Sequence, residues 1–196
     1  MAEKSLNDAP PVIIEHDGVF VVRDDLHYGG TNARVLAPLF AKHDEIVYAT
    51  PAEGGAQSAI AAAAKRFGKL ATLFVAERKI PHPRQLLAES YGAKIVTVRP
   101  GYLTVVQARA REYAESSGTY LSPFGAAFDG AIEDIANAAL STGFEPDEVW
   151  CASGSGTLTR GLALAWPNAR RNVVQVGRNL ADSDVSGATI HFQSLR

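Results

Sequence analysis

The stretch EIVYATPAEGGAQSAIAAAAKRFGKLATLFVA, Glu45 to Ala76, contains one full structural unit. Glu45 to Thr50 is an apolar run of strand length with Ile46, Val47 and Tyr48 at its centre. Gln57 to Phe67 is rich in alanine, the best helix former, and Gly68 sits where a helix C-cap belongs. Leu70 to Ala76 is a second apolar, β-branched run. Strand, helix, strand with short glycine-rich joints reads as a βαβ unit, which implies parallel pairing.

The same alternation continues on both sides. Downstream, a helix over Pro83 to Tyr91 stops at Gly92, and Lys94 to Val98 is a strand. A helix over Leu103 to Ser116 stops at Gly118, and Thr119 to Ser122 is a short strand. A long helix is expected over Ala126 to Leu140. A strand over Asp147 to Ala152, a helix over Thr157 to Trp166 and a strand over Asn172 to Val176 follow, with at most one more strand near Ala188 to Phe192. Upstream, a helix from about Asn32 to Lys42 has Thr31 as its expected N-cap. Val12 to Glu15 and Val19 to Arg23 form a hairpin around Asp17-Gly18. Met1 to Pro11 is expected to be flexible. The reading is α/β: an open, mainly parallel sheet with helices on both faces, forming a single compact unit over residues 12–196.

Composition narrows the function classes. The chain has 196 residues and a net charge of −2, so it lacks the broad cationic face of a nucleic-acid-binding module. No apolar run reaches membrane-spanning length, and the N-terminus lacks a signal-peptide pattern. The single cysteine, Cys151, excludes a disulfide framework within one chain and reads as a structural thiol. A cytoplasmic protein is the simplest expectation.

Open parallel sheets bind ligands beyond the carboxyl ends of their strands, so the strand-to-helix turns are the informative places. The strongest is Ser153-Gly154-Ser155-Gly156-Thr157, between an apolar strand and an apolar helix. Its glycines let backbone amides approach an anion, its hydroxyls donate, and the helix start adds positive potential. It reads as a phosphate cradle, the alternative being a small-residue packing turn. It is neither a P-loop nor the dinucleotide fingerprint. The second turn, Thr50 to Ser58, ends in Gly54-Gly55-Ala56-Gln57-Ser58. The third, Arg23 to Arg34, contains Gly29-Gly30-Thr31-Asn32-Ala33-Arg34.

Together these turns resemble the pyridoxal-phosphate enzymes of fold type II, the tryptophan synthase β-like group. The nearest branch is that of aminocyclopropane-carboxylate deaminase and D-cysteine desulfhydrase. Arg23-Asp24-Asp25 is similar to that branch's Arg-Asp-Asp/Glu segment. Gly29 to Arg34 is similar to its Gly-Gly-Asn-Lys-x-Arg, Gly54 to Ser58 to its Gly-Gly-x-Gln-Ser, and Ser153 to Thr157 to its phosphate loop Gly-Ser-Gly-Gly-Thr. The resemblance covers residues of about 20 to 177. It implies pyridoxal 5'-phosphate as cofactor, held by Arg34, Gln57, Ser153, Gly154, Ser155, Gly156 and Thr157, with non-covalent binding as an option. Ser58 is expected to orient a substrate carboxylate or assist proton transfer. Tyr120 is a further catalytic candidate, and Tyr28 and Pro123-Phe124-Gly125 either line the site or serve as ordinary core and loop residues.

The departures from the pattern are chemical. Asn32 stands where the branch carries its Schiff-base lysine, and an amide cannot form an imine. Ala59 and Ile60 replace its Asn-His pair. Lys42 and Lys65 are either surface charge or a replacement lysine, and the usual exposure of lysine favours the first. His27 is either catalytic or a surface histidine, and the remaining histidines show no metal-ligand spacing. Arg170-Arg171 with Arg178 reads as a solvated cluster. Three readings follow: a lyase or deaminase-like protein with Asn32 in the lysine position, an inactive cofactor- or phosphate-binding protein on the same scaffold, or a decarboxylase acting on an amino acid attached to a larger molecule. A different α/β phosphate-binding protein is the rival class. The resemblance also implies a small amino-bearing substrate and a homo-oligomer. Fold type II enzymes are usually much longer, so the expectation is a minimal or truncated form of the fold.

Overall fold

The structure, a computed structural model, describes residues 10–99, 102–126, 128, 130–176, 179–185 and 187–192. The expected flexible segment, apart from Pro10 and Pro11, and Arg178 lie outside the described residues. Where the sequence suggests one unit over 12–196, internal contacts group the chain into two: residues 25–126, and residues 1–24 with 127–196. Residues of about 45–125, which the resemblance would set against the family's small domain, fall inside the first of these.

The unit of residues 25–126 holds α1 (Gly30–Lys42), β3 (Glu45–Thr50), α2 (Ala56–Phe67), β4 (Leu70–Ala76), α3 (Pro83–Ser90), β5 (Lys94–Val98), α4 (Leu103–Ser117) and β6 (Tyr120–Leu121). The four strands form a parallel sheet in the order β5-β4-β3-β6. Successive residues of a strand point to opposite faces, so the two rows of β3 and β4 serve different helices. Val47, Ala49 and Phe74 join Val98 in one core with Val106, Ala110 and Ala114 of α4. The alternate row, with Ile46, Leu73 and Val75 fully buried, faces α2, on which α1 and α3 pack. A polar tie crosses the α4 side: Thr72 Oγ1 donates to Glu45 Oε1 at 2.6 Å and Tyr113 Oη donates to the same oxygen at 3.1 Å.

The second unit holds the antiparallel hairpin β1 (Ile13–His16) and β2 (Val19–Val22), turned at Asp17 and Gly18, both at positive φ. It also holds α5 (Ala131–Leu140), β7 (Glu148–Ser153), α6 (Thr157–Ala165), β8 (Arg170–Gln175), α7 (Asp182–Val185) and β9 (Thr189–Phe192). β7, β8 and β9 form a second parallel sheet in chain order. α5 and α6 pack together, with Ala136, Ala139, Ala165, Trp166 and Ala169 in one cluster against Val149 and Leu162. The α/β class with mainly parallel strands is therefore as expected, with the parallel strands shared between two sheets.

Two local expectations are corrected, and one element was not foreseen. The first helix begins at Gly30, and its N-cap is Gly29 at φ 85°, with no side-chain cap, so Thr31 is inside the first turn. The helix expected from Ala126 begins at Ala131. Gly125 at φ 74° and Gly130 at φ 91° are left-handed, and no α-helix runs through such residues. The short α7 had no signal, being only four residues long.

Asp134, in the first turn of α5, provides a pH test. Burial, then the neighbouring charge of Glu133, push its carboxyl above the usual carboxylate range. The folded state therefore binds this proton more tightly than the unfolded chain. Its contribution to stability is fully present below the unfolded value and is lost as pH rises through the folded one. Asp134→Asn is expected to raise the melting temperature at neutral pH and leave it nearly unchanged in acid. Equal shifts at both pH values would count against the assignment.

Candidate active site

In the sheet β5-β4-β3-β6, the chain runs from β3 to β4 and β5 in one direction, then returns to place β6 on the other flank of β3. The carboxyl ends of β3 and β6 are thus a topological switch point, where open α/β sheets form their ligand crevices. Two segments emerge there: residues 50–58 and residues 122–126.

The first is built tightly. Gly54 N–H donates to Pro51 O at 2.9 Å, and a Cβ on Gly54 would stand 2.6 Å from Thr50 Oγ1. Gln57 is fully buried, and its Nε2 donates to Ala52 O at 2.7 Å and Gly54 O at 3.0 Å. Both amide hydrogens therefore brace the turn, and Oε1 is left buried without a hydrogen-bond partner. Ser58 Oγ donates to Gly55 O at 3.1 Å. Two arginines that sequence reading did not single out flank this turn. Arg84 Nη1 donates to Glu53 O at 2.6 Å and would lie 3.2 Å from a Cβ on Gly55, and Arg78 pairs with the Glu53 carboxylate at 2.6 Å. The Glu53 backbone N–H, then Arg78, hold that carboxyl below its usual range. Both arginines are more than 20 residues downstream, and the parallel pairing of β3 with β4 and the packing of α3 on α2 bring their segments alongside.

At the β6 end, Ser122 is buried with its Oγ unpartnered, and Gly125 N–H donates to Tyr48 Oη at 3.4 Å. Burial raises the Tyr48 phenol above its ordinary value. Tyr120 lies elsewhere. It pairs with Ile46, near the start of β3, and its ring stacks on His43 at 4.4 Å, toward the end of the sheet away from the crevice. Phe124 is exposed, and Tyr28 sits edge-on to Tyr91 at 5.5 Å.

Gly29, before α1, approaches α2 closely: a Cβ there would stand 3.1 Å from Ala62 Cβ and 3.6 Å from Ala59 O. The alanines of α2 allow that approach. Asn32 follows in the first turn of α1, half-buried, with no side-chain hydrogen bond to a described residue, and Arg34 is half-buried two residues further on, about half a turn round the helix. Lys42 is exposed at the end of α1, and Lys65 is exposed with its Nζ 5.7 Å from the Tyr91 ring centre.

The loop of residues 153–157 belongs to the other unit. It runs from the end of β7 into α6, and Ser153 and Thr157 are buried. Gly156 N–H donates to Ser153 Oγ at 3.2 Å, and the hydroxyls of Ser155 and Thr157 are 3.1 Å apart. Gly156, at φ 83°, caps α6 with no side-chain bond, so the first-turn amides of that helix lack intrahelical partners. Cys151 Sγ lies 3.8 Å from Thr159 Oγ1, and burial raises its thiol. Arg170 pairs with Glu148, and Arg171 Nη1 donates to the carbonyls of Trp166, Pro167 and Ala169. Among the described residues there is no metal-ligating cluster and no helix long and apolar enough to cross a membrane.

The fold and its turns define a class: an α/β protein with a glycine-hydroxyl loop feeding a helix start and a switch-point crevice. Residues 8–192 match the pyridoxal-phosphate dependent enzyme family, and the chain belongs to it. Pyridoxal 5'-phosphate is the cofactor that membership assigns. The fold is shared with an ACC deaminase homologue (TM-score 0.71, 20% identity, 88% of this chain and 65% of that one). It is shared with the threonine deaminase of T.th. (TM-score 0.66, 22% identity, 86% and 59%) and with maize serine racemase (TM-score 0.71, 19% identity, 83% and 55%). The chain thus spans less than two thirds of each of these structures. No curated protein matches it.

The residues present fit one part of the cofactor. A hydroxyl-lined loop at a helix start suits the phosphate group. Asn32 offers no amine for a covalent link to the aldehyde.

Proposed function

We propose that this chain holds pyridoxal phosphate non-covalently, through its phosphate on Ser153 to Thr157, and is a binding member of the family in which Asn32 takes the place of the imine-forming lysine. The observation that carries the reading is the combination of an intact hydroxyl-glycine loop with an amide in the first turn of α1. The hydroxyls of Ser155 and Thr157 and the first-turn amides of α6 bind the phosphate. Gln57 keeps the 52–54 turn in shape through its two donated hydrogen bonds. The chain's second ligand is a small amino-bearing molecule, the kind of substrate named for threonine deaminase and serine racemase. In the family's chemistry the cofactor, when bound, would supply an electron sink for charge developing at a substrate carbon.

The test is visible absorption during titration with pyridoxal phosphate, followed by borohydride treatment and mass spectrometry. The chain is expected to bind the cofactor and release all of it on dialysis, with no reduced adduct on any lysine. Asn32→Lys is expected to retain a stoichiometric, borohydride-fixed adduct at residue 32. A fixed adduct at Lys42 or Lys65 in the unaltered chain would overturn the non-covalent reading. Absence of binding by both proteins would overturn the cofactor site itself.

A further inference from the structure

The phosphate loop has a neighbour that works against its charge. Gly156 has a left-handed backbone, and a Cβ built there would stand 2.4 Å from Asp184 Cβ, 2.9 Å from its carboxyl carbon and 3.0 Å from its Cα. Asp184 therefore packs directly on the residue that caps α6. It comes from α7, itself in contact with α6, and it is held in place. Its Oδ2 accepts from Ala181 N–H at 3.1 Å, and its own N–H donates to Ala181 O at 2.8 Å. The side chain is half-buried, so bulk water screens it incompletely. The donors of the loop attract an anion, and a fixed carboxylate beside them repels it.

We propose that Asp184 determines the specificity and retention of this loop: its carboxylate lowers affinity for dianionic phosphate groups, so a phosphate-bearing ligand is exchanged rather than kept. The inference rests on reading residues 153–157 as a phosphate cradle. Together with the missing imine, it describes a protein that binds its cofactor reversibly. Asp184 acts through charge and not through a contact the ligand needs. Like charges a few ångströms apart in a partly buried site are strongly coupled. Removing one is expected to tighten phosphate binding about tenfold, and to do so in proportion to ligand charge.

The experiment is calorimetric titration of the full chain with pyridoxal phosphate, pyridoxal and inorganic phosphate. Asp184→Asn preserves side-chain size and an oxygen to accept from Ala181 N–H, so α7 keeps its cap. The expected result is about tenfold tighter binding of pyridoxal phosphate and of inorganic phosphate, with pyridoxal, which lacks the phosphate, unchanged. A purely structural role for Asp184 would move all three ligands together or none. Unchanged phosphate affinity in Asp184→Asn, or an equal change for pyridoxal, overturns the proposal. Thr157→Val separates this from failure of the cradle. If Thr157→Val weakens phosphate binding while Asp184→Asn does not tighten it, the cradle stands and Asp184 has no such role. If no protein of the set binds phosphate, both the cradle and the proposal fall.

Discussion

Replacing Gly156 with alanine is expected to unfold the second unit at markedly lower denaturant and to abolish pyridoxal-phosphate binding. Two independent costs add. A non-glycine residue in the left-handed region costs roughly 1–2 kcal/mol. The new methyl must also displace Asp184, whose Cβ would lie at 2.4 Å, Cγ at 2.9 Å and Cα at 3.0 Å, at and beside the backbone rather than at the end of a long flexible chain. Overpacking of that kind costs about 1–3 kcal/mol. The sum is a large part of the stability of an ordinary domain. Gly154→Ala is the internal control. Gly154 is not at positive φ, and its Cβ would meet Val176 O at 3.1 Å, a contact that a small shift relieves. Urea titration followed by circular dichroism should show the Gly156→Ala midpoint well below that of Gly154→Ala. Coincident midpoints would mean that neither the left-handed backbone nor the Asp184 contact is real.

The second large effect is expected at Gly161, inside α6. By helix propensity alone, alanine would stabilise this position by about 1 kcal/mol. The packing of α5 on α6 reverses the sign. A Cβ on Gly161 would stand 2.4 Å from Ile135 Cγ2, 2.6 Å from Ile135 Cβ and 3.1 Å from Ile132 O. Gly161 is buried, and α5 lies across it, so the helices must separate to admit a methyl. Gly161→Ala is expected to destabilise the unit by about 2 kcal/mol net. Trimming the obstacle should recover part of the loss: Ile135→Ala combined with Gly161→Ala should cost less than the two single changes together, because the residues touch. Strict additivity in that double-mutant cycle, or a stabilised single variant, would contradict the close helix crossing.

Some of this was legible in the chain before folding. Glu45 to Thr50, Leu70 to Ala76 and Lys94 to Val98 appear as strands over the residues read from their apolar runs. Gly68 and Gly118 end their helices in the left-handed conformation that their positions suggested. These are local signals, carried by residues a few places apart. The start of α5 was not legible, because Gly125 and Gly130 sit in a stretch whose other residues tolerate a helix. The division of the parallel strands between two sheets was not legible either, since each βαβ unit carries the same pattern whichever sheet it joins.

The site divides along the same line. The glycine-hydroxyl loop, the Gly-Gly turns and the amide at residue 32 are properties of consecutive residues, and the sequence alone sufficed to single them out. The pairing of β6 with the start of β3 put Tyr120 beside His43. Folding turned both hydrogens of the Gln57 amide onto its own loop and set Arg84 against Gly55. It also pressed Asp184 onto Gly156, from 28 residues further along the chain. Backbone conformation and hydroxyl chemistry follow from neighbours in sequence. Burial, register and the approach of a distant charge depend on how sheets and helices close on one another, and only the tertiary structure decides them.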